Sequence, residues 1–540
     1  MARVPDGDEV ALRRAVARGV WAWREVAASA VDVIVGPPRV GDDGAGAMAR
    51  LDRALAVGDA RGAAAARTQV ERGLVLLVGE ATRRRGELDR RAVAQALSDA
   101  AYDLGLMALE ATPGTPEREE AVRADVAGLL DGITDGARAL ASWGLPDPSV
   151  AAALAEVERR TAALAEKVRG PFDDRARFVV ETGSLGVAVR RLAGARRLRV
   201  RAPYAPRVPV DGVPPDEQPV SALTVPAPRR AREPLDPETL AARVALGAAL
   251  FRDRRLSRDG VRACVDCHQP ARAFTDGERT PRSLLPSAPI RRNTPTLLYA
   301  SLSPALFWDG RAITGEGQAL AVLHAAAEMG LSDEEVVAAL AGDRALVAAF
   351  GRAFSREGLT AQTVARALAT YEEQALVPAS APIDRFARGE DGALDAAVRR
   401  GLDVFVTVGR CARCHVPPSF GGARPPDFSV PVYAVIGAPS SPRGATLDAD
   451  RGRAAVTGRD VDRGAMRTPA LRNVGATAPY LHHGAFPTLD DVLSLYDDGG
   501  GRGRGLTVDN QDPDVRPLHL TATQRSDLVA LLRRGLADRP

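Results

Sequence analysis

Two C-x-x-C-H pentads constrain what this chain of 540 residues can be, and they lie at residues 264–268 and 411–415. Such a pentad is the attachment signature of a c-type haem: its cysteines form thioether bonds to the porphyrin and its histidine ligates the iron. A zinc site would require both cysteine pairs to converge, and a redox dithiol would require a βαβ context that the sequence lacks. The pentads use all four cysteines of the chain. We therefore expect two covalent haem c groups, bound through Cys264, Cys267, His268, Cys411, Cys414 and His415.

Covalent attachment of haem c in bacteria takes place outside the cytoplasmic membrane, so the pentads predict a periplasmic protein. Residues 1–23 carry charges throughout and show no apolar core of a signal peptide. We expect that a signal was removed and replaced by a start Met, or that the chain was truncated. No apolar stretch reaches the roughly 18 residues of a transmembrane helix, so we expect no membrane span. The net charge of +3 is too close to neutral to indicate nucleic acid as a partner.

The composition predicts a mostly α fold, because Ala, Leu, Arg and Glu dominate and runs of β-branched residues are short. Residues 1–202 are predicted to form an α-helical bundle. Their apolar side chains recur at helical spacing, beginning with Leu12, Val16, Val20, Trp23 and Val26. Separate helices are predicted over residues 45–84, 90–112, 116–143 and 147–169. No motif in this region indicates a function.

A proline-rich segment at residues 203–235 separates the bundle from the pentads. Proline at this density excludes helix interiors and favours an extended linker. The two pentads lie about one domain length apart in the sequence. We therefore predict a duplicated mono-haem unit, with c-type cytochrome domains at residues 236–393 and 394–540.

Around the pentads, several motifs follow one another in a fixed order. They are Arg-Asn-Thr-Pro-Thr-Leu (292–297), Phe-Trp-Asp-Gly-Arg (307–311), Glu-Met-Gly (328–330), Arg-Thr-Pro-Ala-Leu-Arg-Asn-Val (467–474) and Thr-Ala-Pro-Tyr-Leu-His (477–482). The series closely resembles the bacterial di-haem cytochrome c peroxidase family, which includes MauG. The resemblance covers about residues 236–540 and says nothing about the rest of the chain.

The resemblance implies that the haem on His268 is the peroxidatic one. It makes Glu328 the acid–base group, Gln318 a hydrogen-bonding partner and Trp308 a stepping stone for electrons between the haems. Peroxide chemistry needs such parts: a vacant iron position, a group that moves a proton, and a second source of electrons. The alternative is that Glu328 and Gln318 are solvated helix residues and that Trp308 is a core residue.

The sequence around this site departs from the family pattern. Val322 stands where the family usually has proline, and three alanines at 325–327 replace a usual Asn-Pro, so we expect a different pocket shape. Many family members plug the resting iron with a histidine from the loop after the first pentad. No histidine lies between His268 and His324 here, so we expect this haem to be open at rest. His324 is either an alternative plug or a histidine on the helix surface.

The resemblance also indicates the sixth ligand of the second haem, which is Met in the peroxidases and Tyr in MauG-like members. The matching segment 489–500 contains Tyr496 and no Met, so Tyr496 is the predicted ligand. A phenolate stabilises ferric iron and lowers the reduction potential, whereas Met raises it. The alternative is that Tyr496 packs within a helix and that Met466 or water fills the site.

Asn293, Thr477 and Pro479 match the calcium site of the family. One amide oxygen and two backbone carbonyl oxygens suit Ca²⁺, a hard cation that prefers oxygen ligands. The alternative is that these are ordinary turn residues. His482 falls on a family position that forms hydrogen bonds near the domain interface, and we predict no role for His483.

The main prediction is a periplasmic di-haem enzyme that reduces hydrogen peroxide with electrons from a small donor protein, a cytochrome c or a cupredoxin. One alternative is a MauG-like enzyme that uses peroxide to oxidise residues of a partner protein. The other alternative is a di-haem electron carrier without catalysis, which six-coordination at both irons would support.

Overall fold

A computed structural model describes residues 90–538 of the chain apart from short gaps. The gaps are residues 111–115, 143–144, 170–173, 203–205, 208–212, 215–216, 227–234 and 424–427. The helix predicted over residues 45–84 and the apolar repeat that begins at Leu12 lie outside the described residues. The chain divides into two compact units: the first runs to residue 205 and includes 209–222, and the second comprises 206–208 and everything from 223 onwards.

The first unit contains four described helices. They are α1 (Arg90–Glu110), α2 (Pro116–Ser142), α3 (Pro148–Lys167) and α4 (Arg175–Ala195). The predicted helices at 90–112, 116–143 and 147–169 agree with α1, α2 and α3 to within two residues, whereas α4 was not predicted as a separate helix. Both α1 and α3 pack against α2 and α4, and they bury Leu97, Leu104, Ile133, Val157 and Phe178 between them.

Local sequence explains where these helices begin. The carboxylate of Asp147 accepts a hydrogen bond from the backbone N–H of Ser149, and Pro148 occupies the first helical position of α3. Asp174 accepts in the same way from the backbone N–H of Arg177 at the start of α4. Such carboxylates satisfy amide groups that have no partner within the helix.

The second unit carries both pentads and is also built mainly from helices. They are α5 (Pro237–Leu250), α6 (Cys264–Cys267), α7 (Gly315–His324), α8 (Asp333–Ala341), α9 (Arg344–Ala353), α10 (Ala361–Ala375), α11 (Pro382–Ala387), α12 (Ala396–Val406), α13 (Ala454–Thr457), α14 (Leu489–Asp497), α15 (Gly500–Gly503) and α16 (Ala522–Ala530). The sheet in the described chain is a two-stranded antiparallel pair, β1 (Tyr433–Ala434) with β2 (Met466–Arg467). The predicted mostly α fold is confirmed.

Two close helix crossings hold the second unit together, and each depends on a glycine. A Cβ atom at Gly247 of α5 would lie 2.0 Å from the carbonyl oxygen of Ala367 in α10. A Cβ atom at Gly401 of α12 would lie 2.1 Å from the carbonyl oxygen of Asp527 in α16. Neither distance leaves room for a side chain, so glycine is required where these backbones meet.

The proline-rich segment contributes buried residues to both units. Val220 and Ala222 are buried in the first unit, while Leu223 and Val225 are buried in the second. Within the second unit, the guanidinium of Arg207 donates to the carbonyl oxygen of Val377 at 2.9 Å. The described part of this segment is therefore packed, because apolar residues between its prolines reach the two cores; the proline content alone predicts only an extended linker.

Within the part of the chain that the structure describes, no helix combines the length and the apolar character needed to cross a membrane.

Candidate functional site

The first pentad forms the short helix α6 and presents His268 at its end. The backbone N–H of His268 donates to the carbonyl oxygen of Cys264 at 2.9 Å. The Nδ1 atom of His268 lies 3.0 Å from the carbonyl oxygen of Phe274. Because a carbonyl oxygen only accepts, Nδ1 carries the proton and Nε2 is the atom available for a metal. Burial lowers the pKa of His268, against opposing hydrogen bonds from backbone groups, so the ring is neutral as a ligand requires.

The second pentad repeats this arrangement around His415. Its Nδ1 atom lies 3.2 Å from the carbonyl oxygen of Phe420 and 3.0 Å from that of Pro469. Burial lowers the pKa of His415 to about 4, so this ring is also neutral. Pro469 belongs to the Arg-Thr-Pro motif, which gives that motif a physical role: its carbonyl group orients the proximal histidine.

Both pentads fit covalent haem attachment. The thiols of Cys264 and Cys267 line one cavity with His268, and the thiols of Cys411 and Cys414 line another with His415. None of the four cysteines forms a disulfide bond. Among the described residues, neither histidine has a hydrogen-bond partner for Nε2. Each cavity thus offers two thiols and one free imidazole nitrogen, the donor set of a c-type haem.

Gln318 and Glu328 line the first cavity together with His268. Gln318 lies on α7, and Glu328 lies in the turn that follows this helix. Burial raises the pKa of Glu328, while the positive charges of Arg311 and Arg262 lower it. Arg262 also donates to the backbone carbonyl oxygen of Glu328 at 3.2 Å, which fixes the turn. A half-buried carboxyl group with a raised pKa is suited to exchanging a proton near neutral pH.

His324 lies outside this cavity. It ends α7 on the surface, and its Nε2 atom is 2.8 Å from a carboxylate oxygen of Asp333. From residues 269–291, the segment after the first pentad, the residues that line the cavity are Arg279, Thr280, Pro281, Ile290 and Arg291. The geometry agrees with the surface interpretation of His324.

Trp308 lines both cavities. Its indole N–H donates to the carbonyl oxygen of Asn293 at 2.9 Å, and its own carbonyl oxygen accepts from the backbone N–H of Arg467 at 2.7 Å. Its ring meets the ring of His482 edge-on, with the ring centroids 6.4 Å apart. This side chain is therefore rigidly held at the boundary between the two haem cavities.

The second cavity contains both candidates for the sixth ligand. Tyr496 projects from α14 and Met466 from β2, and both line the cavity that holds His415. Burial raises the pKa of Tyr496, and the neighbouring Cys414 and Cys411 raise it further, so the free phenol is neutral. The choice between Tyr496 and Met466 stays a prediction.

The second cavity includes the three residues predicted to bind calcium. Asn293, Thr477 and Pro479 all line it. The amide nitrogen of Asn293 donates to the carbonyl oxygen of Glu278 at 2.9 Å, and within the described residues its amide oxygen has no hydrogen-bond partner. An amide oxygen and backbone carbonyl oxygens are the kind of donors that Ca²⁺ prefers. The donor types suit the ion, and calcium binding stays a prediction.

A network of charged side chains lies beside the first cavity, and the sequence analysis did not predict it. Arg292 pairs with Asp309 at 2.6 Å and with Asp450 at 2.7 Å, and the Nε2 atom of His482 lies 3.0 Å from a carboxylate oxygen of Asp448. Hydrogen bonding to His482 lowers the pKa of Asp448. Asp448, Asp450 and His482 are close enough to share a metal, but both carboxylate oxygens of Asp450 already accept from Arg292. We therefore interpret the group as a salt-bridge network.

Two further residues line the first cavity, and the sequence analysis assigned no role to either of them. His483 lines it, and its ring stacks on that of His482 with the ring centroids 4.6 Å apart. Glu372 of α10 also lines it, and burial raises the pKa of this carboxyl group to about 8. Glu372 follows Leu368 by one helical turn, so helical spacing could have indicated that both face the cavity.

Comparisons with known proteins agree with this geometry. The model of the di-haem cytochrome c peroxidase family matches residues 241–392. Cytochrome-c peroxidase IdrP1 of Pseudomonas sp. (strain SCT) is 33% identical over 317 residues, which is 55% of this chain and 82% of that protein. Methylamine utilization protein MauG of Methylorubrum extorquens is 34% identical over 316 residues, which is 58% of this chain and 82% of that protein.

A solved structure is also similar: the crystal structure of a MauG-like protein associated with microbial copper homeostasis. It shares 28% identity with this chain, covers 58% of this chain and 94% of its own, and superposes with a TM-score of 0.51. The resemblance inferred from the ordered motifs is confirmed. The chain belongs to the di-haem cytochrome c peroxidase and MauG family, whose members are enzymes with two c-type haems.

Proposed function

We propose that this protein is a periplasmic peroxidase that reduces hydrogen peroxide to water with electrons from a small redox protein, a cytochrome c or a cupredoxin. The observation that carries the proposal is the first cavity, where Glu328 and Gln318 face the same space as His268. The overall reaction is H₂O₂ + 2e⁻ + 2H⁺ → 2H₂O. Bound at the two pentads, the haems would supply the redox centres that exchange electrons with peroxide and with the donor.

Glu328 is the proton-transfer group in this proposal. Cleavage of the O–O bond requires a proton to move from one oxygen atom of peroxide to the other, which then leaves. A carboxylate takes the first proton and returns it to the leaving oxygen. The raised pKa of Glu328 favours this exchange, since it brings the group closer to the operating pH. Gln318 binds and orients the peroxide by hydrogen bonds.

Peroxide would have to reach the haem held by His268 through the first cavity. The residues of segment 269–291 that line this cavity are Arg279, Thr280, Pro281, Ile290 and Arg291, none of which is a strong iron ligand. His324, the alternative plug, pairs instead with Asp333 on the surface. The ferric protein should therefore react with peroxide without prior reduction.

The second cavity is the proposed entry point for electrons. Tyr496 is the proposed sixth ligand there, since it projects from α14 into the cavity of His415. Trp308 is the proposed relay, because it lines both cavities and is fixed by its hydrogen bond to Asn293. Calcium held by Asn293, Thr477 and Pro479 would stabilise the wall around that relay.

A MauG-like oxidation of a partner protein is the second candidate. Tyr496 favours it, because a phenolate ligand lowers the reduction potential and stabilises oxidised iron. The similarity to MauG of Methylorubrum extorquens points the same way. A non-catalytic electron carrier is not supported, since the chain belongs to an enzyme family and Glu328 faces the first cavity.

Steady-state peroxide consumption by the protein with both haems attached tests the proposal. Reduced cytochrome c and a reduced cupredoxin serve as donors in separate assays. The proposal expects peroxide-dependent oxidation of at least one donor, with two electrons consumed per peroxide. Failure with both donors, combined with formation of a peroxide-oxidised state of the haems, would favour the MauG-like candidate.

A further inference from the structure

Tyr299 is a second buried tyrosine beside the second haem cavity. It precedes the short 3₁₀ turn Ala300–Leu302, lines the cavity of His415 and is 1% exposed. Its hydroxyl oxygen accepts from the backbone N–H of Ala379 at 3.0 Å. The same oxygen lies 2.9 Å from each carboxylate oxygen of Asp538. Since a carboxylate only accepts, the phenolic proton of Tyr299 is donated to Asp538.

Asp538 is held firmly in this position. Its carboxylate accepts from the side-chain amide of Asn473 at 2.7 Å and from the backbone N–H groups of Ser380 and Ala381 at 2.8 and 3.1 Å. The backbone N–H of Asp538 donates in return to the amide oxygen of Asn473 at 2.9 Å. The phenol and its proton acceptor are therefore fixed relative to each other before any reaction.

A positive charge beside the ring of Tyr299 is already paired. The guanidinium of Arg472 lies 5.0 Å from the ring of Tyr299, and it forms a buried ion pair with Asp384 at 2.7 Å. Burial raises the pKa of Tyr299 well above its ordinary value, so the group is a neutral phenol. A neutral phenol that donates to a carboxylate can lose an electron without creating a buried positive charge, because its proton moves at the same time.

We propose that Tyr299 and Asp538 form a proton-coupled redox pair that stores an oxidising equivalent beside the second haem. The step is Tyr299–OH + Asp538–COO⁻ → Tyr299–O• + Asp538–COOH + e⁻. The O–H bond of the phenol breaks, the proton passes to the carboxylate, and the electron passes to the oxidised haem on His415. An electron from the donor protein reverses the step. The proposal rests on the proposed function in one respect, which is that reaction with hydrogen peroxide supplies the oxidant.

Other aromatic residues of the same cavity lack this proton acceptor. Tyr480 donates its hydroxyl proton to the carbonyl oxygen of Val474 at 3.1 Å, and Trp308 donates its N–H to the carbonyl oxygen of Asn293. A peptide carbonyl is a far weaker base than a carboxylate. Oxidation of Trp308 therefore leaves a cation that returns quickly, as a relay requires. Oxidation of Tyr299 gives a neutral radical that can persist.

The test uses the protein with both haems attached, treated with hydrogen peroxide in the absence of a donor protein and frozen at intervals for EPR. We expect an organic radical whose hyperfine structure changes when the protein contains ring-deuterated tyrosine. The Tyr480→Phe variant is the matched control and should retain the signal. In the Tyr299→Phe variant the radical signal should be at least tenfold weaker. In the Asp538→Asn variant, which keeps the tyrosine, the signal should also be substantially weaker.

Haem content and the haem absorption spectrum verify that each variant is folded. If Tyr299→Phe fails to fold, Asp538→Asn carries the test alone. A tyrosyl signal that persists undiminished in the folded variants, or that disappears in Tyr480→Phe, overturns the redox pair.

Oxidation by photogenerated tris(bipyridine)ruthenium(III) separates this inference from the proposed function. That oxidant bypasses the reaction with peroxide. A Tyr299-dependent radical with ruthenium but no haem oxidation by peroxide would overturn the proposed function and support the pair. Haem oxidation by peroxide with no Tyr299-dependent radical under either condition would overturn the pair and leave the proposed function intact.

Discussion

The two haem regions share one scaffold and differ in the side chains that face the iron. In each region a glycine permits a close helix crossing, at Gly247 and at Gly401. In each region a phenylalanine with positive φ offers its carbonyl oxygen to the proximal histidine: Phe274 has a φ of 59° and Phe420 a φ of 53°. The two regions therefore hold their proximal histidines in the same way.

The differences lie in the polar groups of the two cavities. The first cavity presents Glu328 and Gln318, which can move a proton and bind peroxide. The second presents Tyr496 and Met466, which can close the iron against substrate. Under the proposed function, these few side chains distinguish the centre that reacts with peroxide from the centre that supplies electrons.

Tyr299 and Asn473 occupy corresponding turns in the two haem regions but differ in their side chains. Tyr299 and Asn473 each precede a 3₁₀ turn, and each has a φ of 60°. Both reach the same carboxylate, that of Asp538, from the two halves of the unit. Asparagine adopts positive φ readily, whereas tyrosine does so at some cost, which points to a role for Tyr299 that depends on its side chain.

Replacing Glu328 should have the largest effect on activity, because this carboxylate distinguishes the first cavity from the second. Glu328→Gln keeps the shape of the side chain and deletes the carboxylate. We expect the reaction with peroxide to slow by about 10²–10⁴, the usual contribution of a general acid–base group. Stopped-flow absorbance of the haems measures this rate. Glu334→Gln, which changes an exposed carboxylate on α8, should leave the rate unchanged. A normal rate in Glu328→Gln would reduce Glu328 to a structural residue.

Replacing Tyr496 should alter the second centre and leave the first intact. Tyr496→Phe retains the ring and removes the predicted ligand atom. We expect the low-spin EPR signal of one haem to disappear, and the high-valent state formed with peroxide to be lost. Met466→Leu is the matched variant, since Met466 lines the same cavity, and it should preserve the signal. The opposite pair of results would assign the ligand to Met466 and would favour an ordinary peroxidase.

The pH dependence of the peroxide reaction follows from the raised pKa of Glu328. The base is active in its ionised form, and burial favours the protonated form. The rate should therefore be retained above the raised pKa and should fall as the pH decreases through it, by about tenfold for each further unit. The Glu328→Gln variant should lack this acid limb. A parent enzyme whose rate does not change between about pH 4 and 8, roughly the range in which such carboxyl groups titrate, would assign the proton transfer elsewhere.

Sequence predicted those features that lie close together in the chain or in a recognised motif. The pentads, Glu328, Gln318 and Trp308 belong to this class, and the cavities gather them as the motifs imply. The spacing of apolar residues also predicted three helices of the first unit to within two residues.

Contacts between distant parts of the chain could not be predicted in this way. Tyr299 and Asp538 are 239 residues apart, and Arg292 and Asp450 are 158 residues apart. Neither aspartate belongs to a motif, and a lone Asp is usually a solvated residue. Only the folded chain brings these groups together, because the two halves of the duplication must pack before their side chains meet.

The smallest expected effects are on stability. Gly247→Ala and Gly401→Ala, at the two close helix crossings, should destabilise the protein by similar amounts. The added Cβ atom would meet a carbonyl oxygen at 2.0 Å in the first case and at 2.1 Å in the second, so each helix pair must separate. Overpacking of this kind typically destabilises a protein by about 1–3 kcal/mol. Gly351→Ala on α9 is the control, because nothing lies within 4 Å of its added Cβ atom and alanine favours a helix.

Thermal unfolding followed by circular dichroism, together with haem retention, measures the three variants. We expect lower melting temperatures for Gly247→Ala and Gly401→Ala and an unchanged or higher one for Gly351→Ala. A large loss for one crossing and none for the other would mean that the two halves of the scaffold have diverged in packing as well as in their iron-facing side chains. Equal losses would locate the divergence in the cavities, at Glu328 and Tyr496, the residues proposed to distinguish a centre that reacts with peroxide from one that supplies electrons.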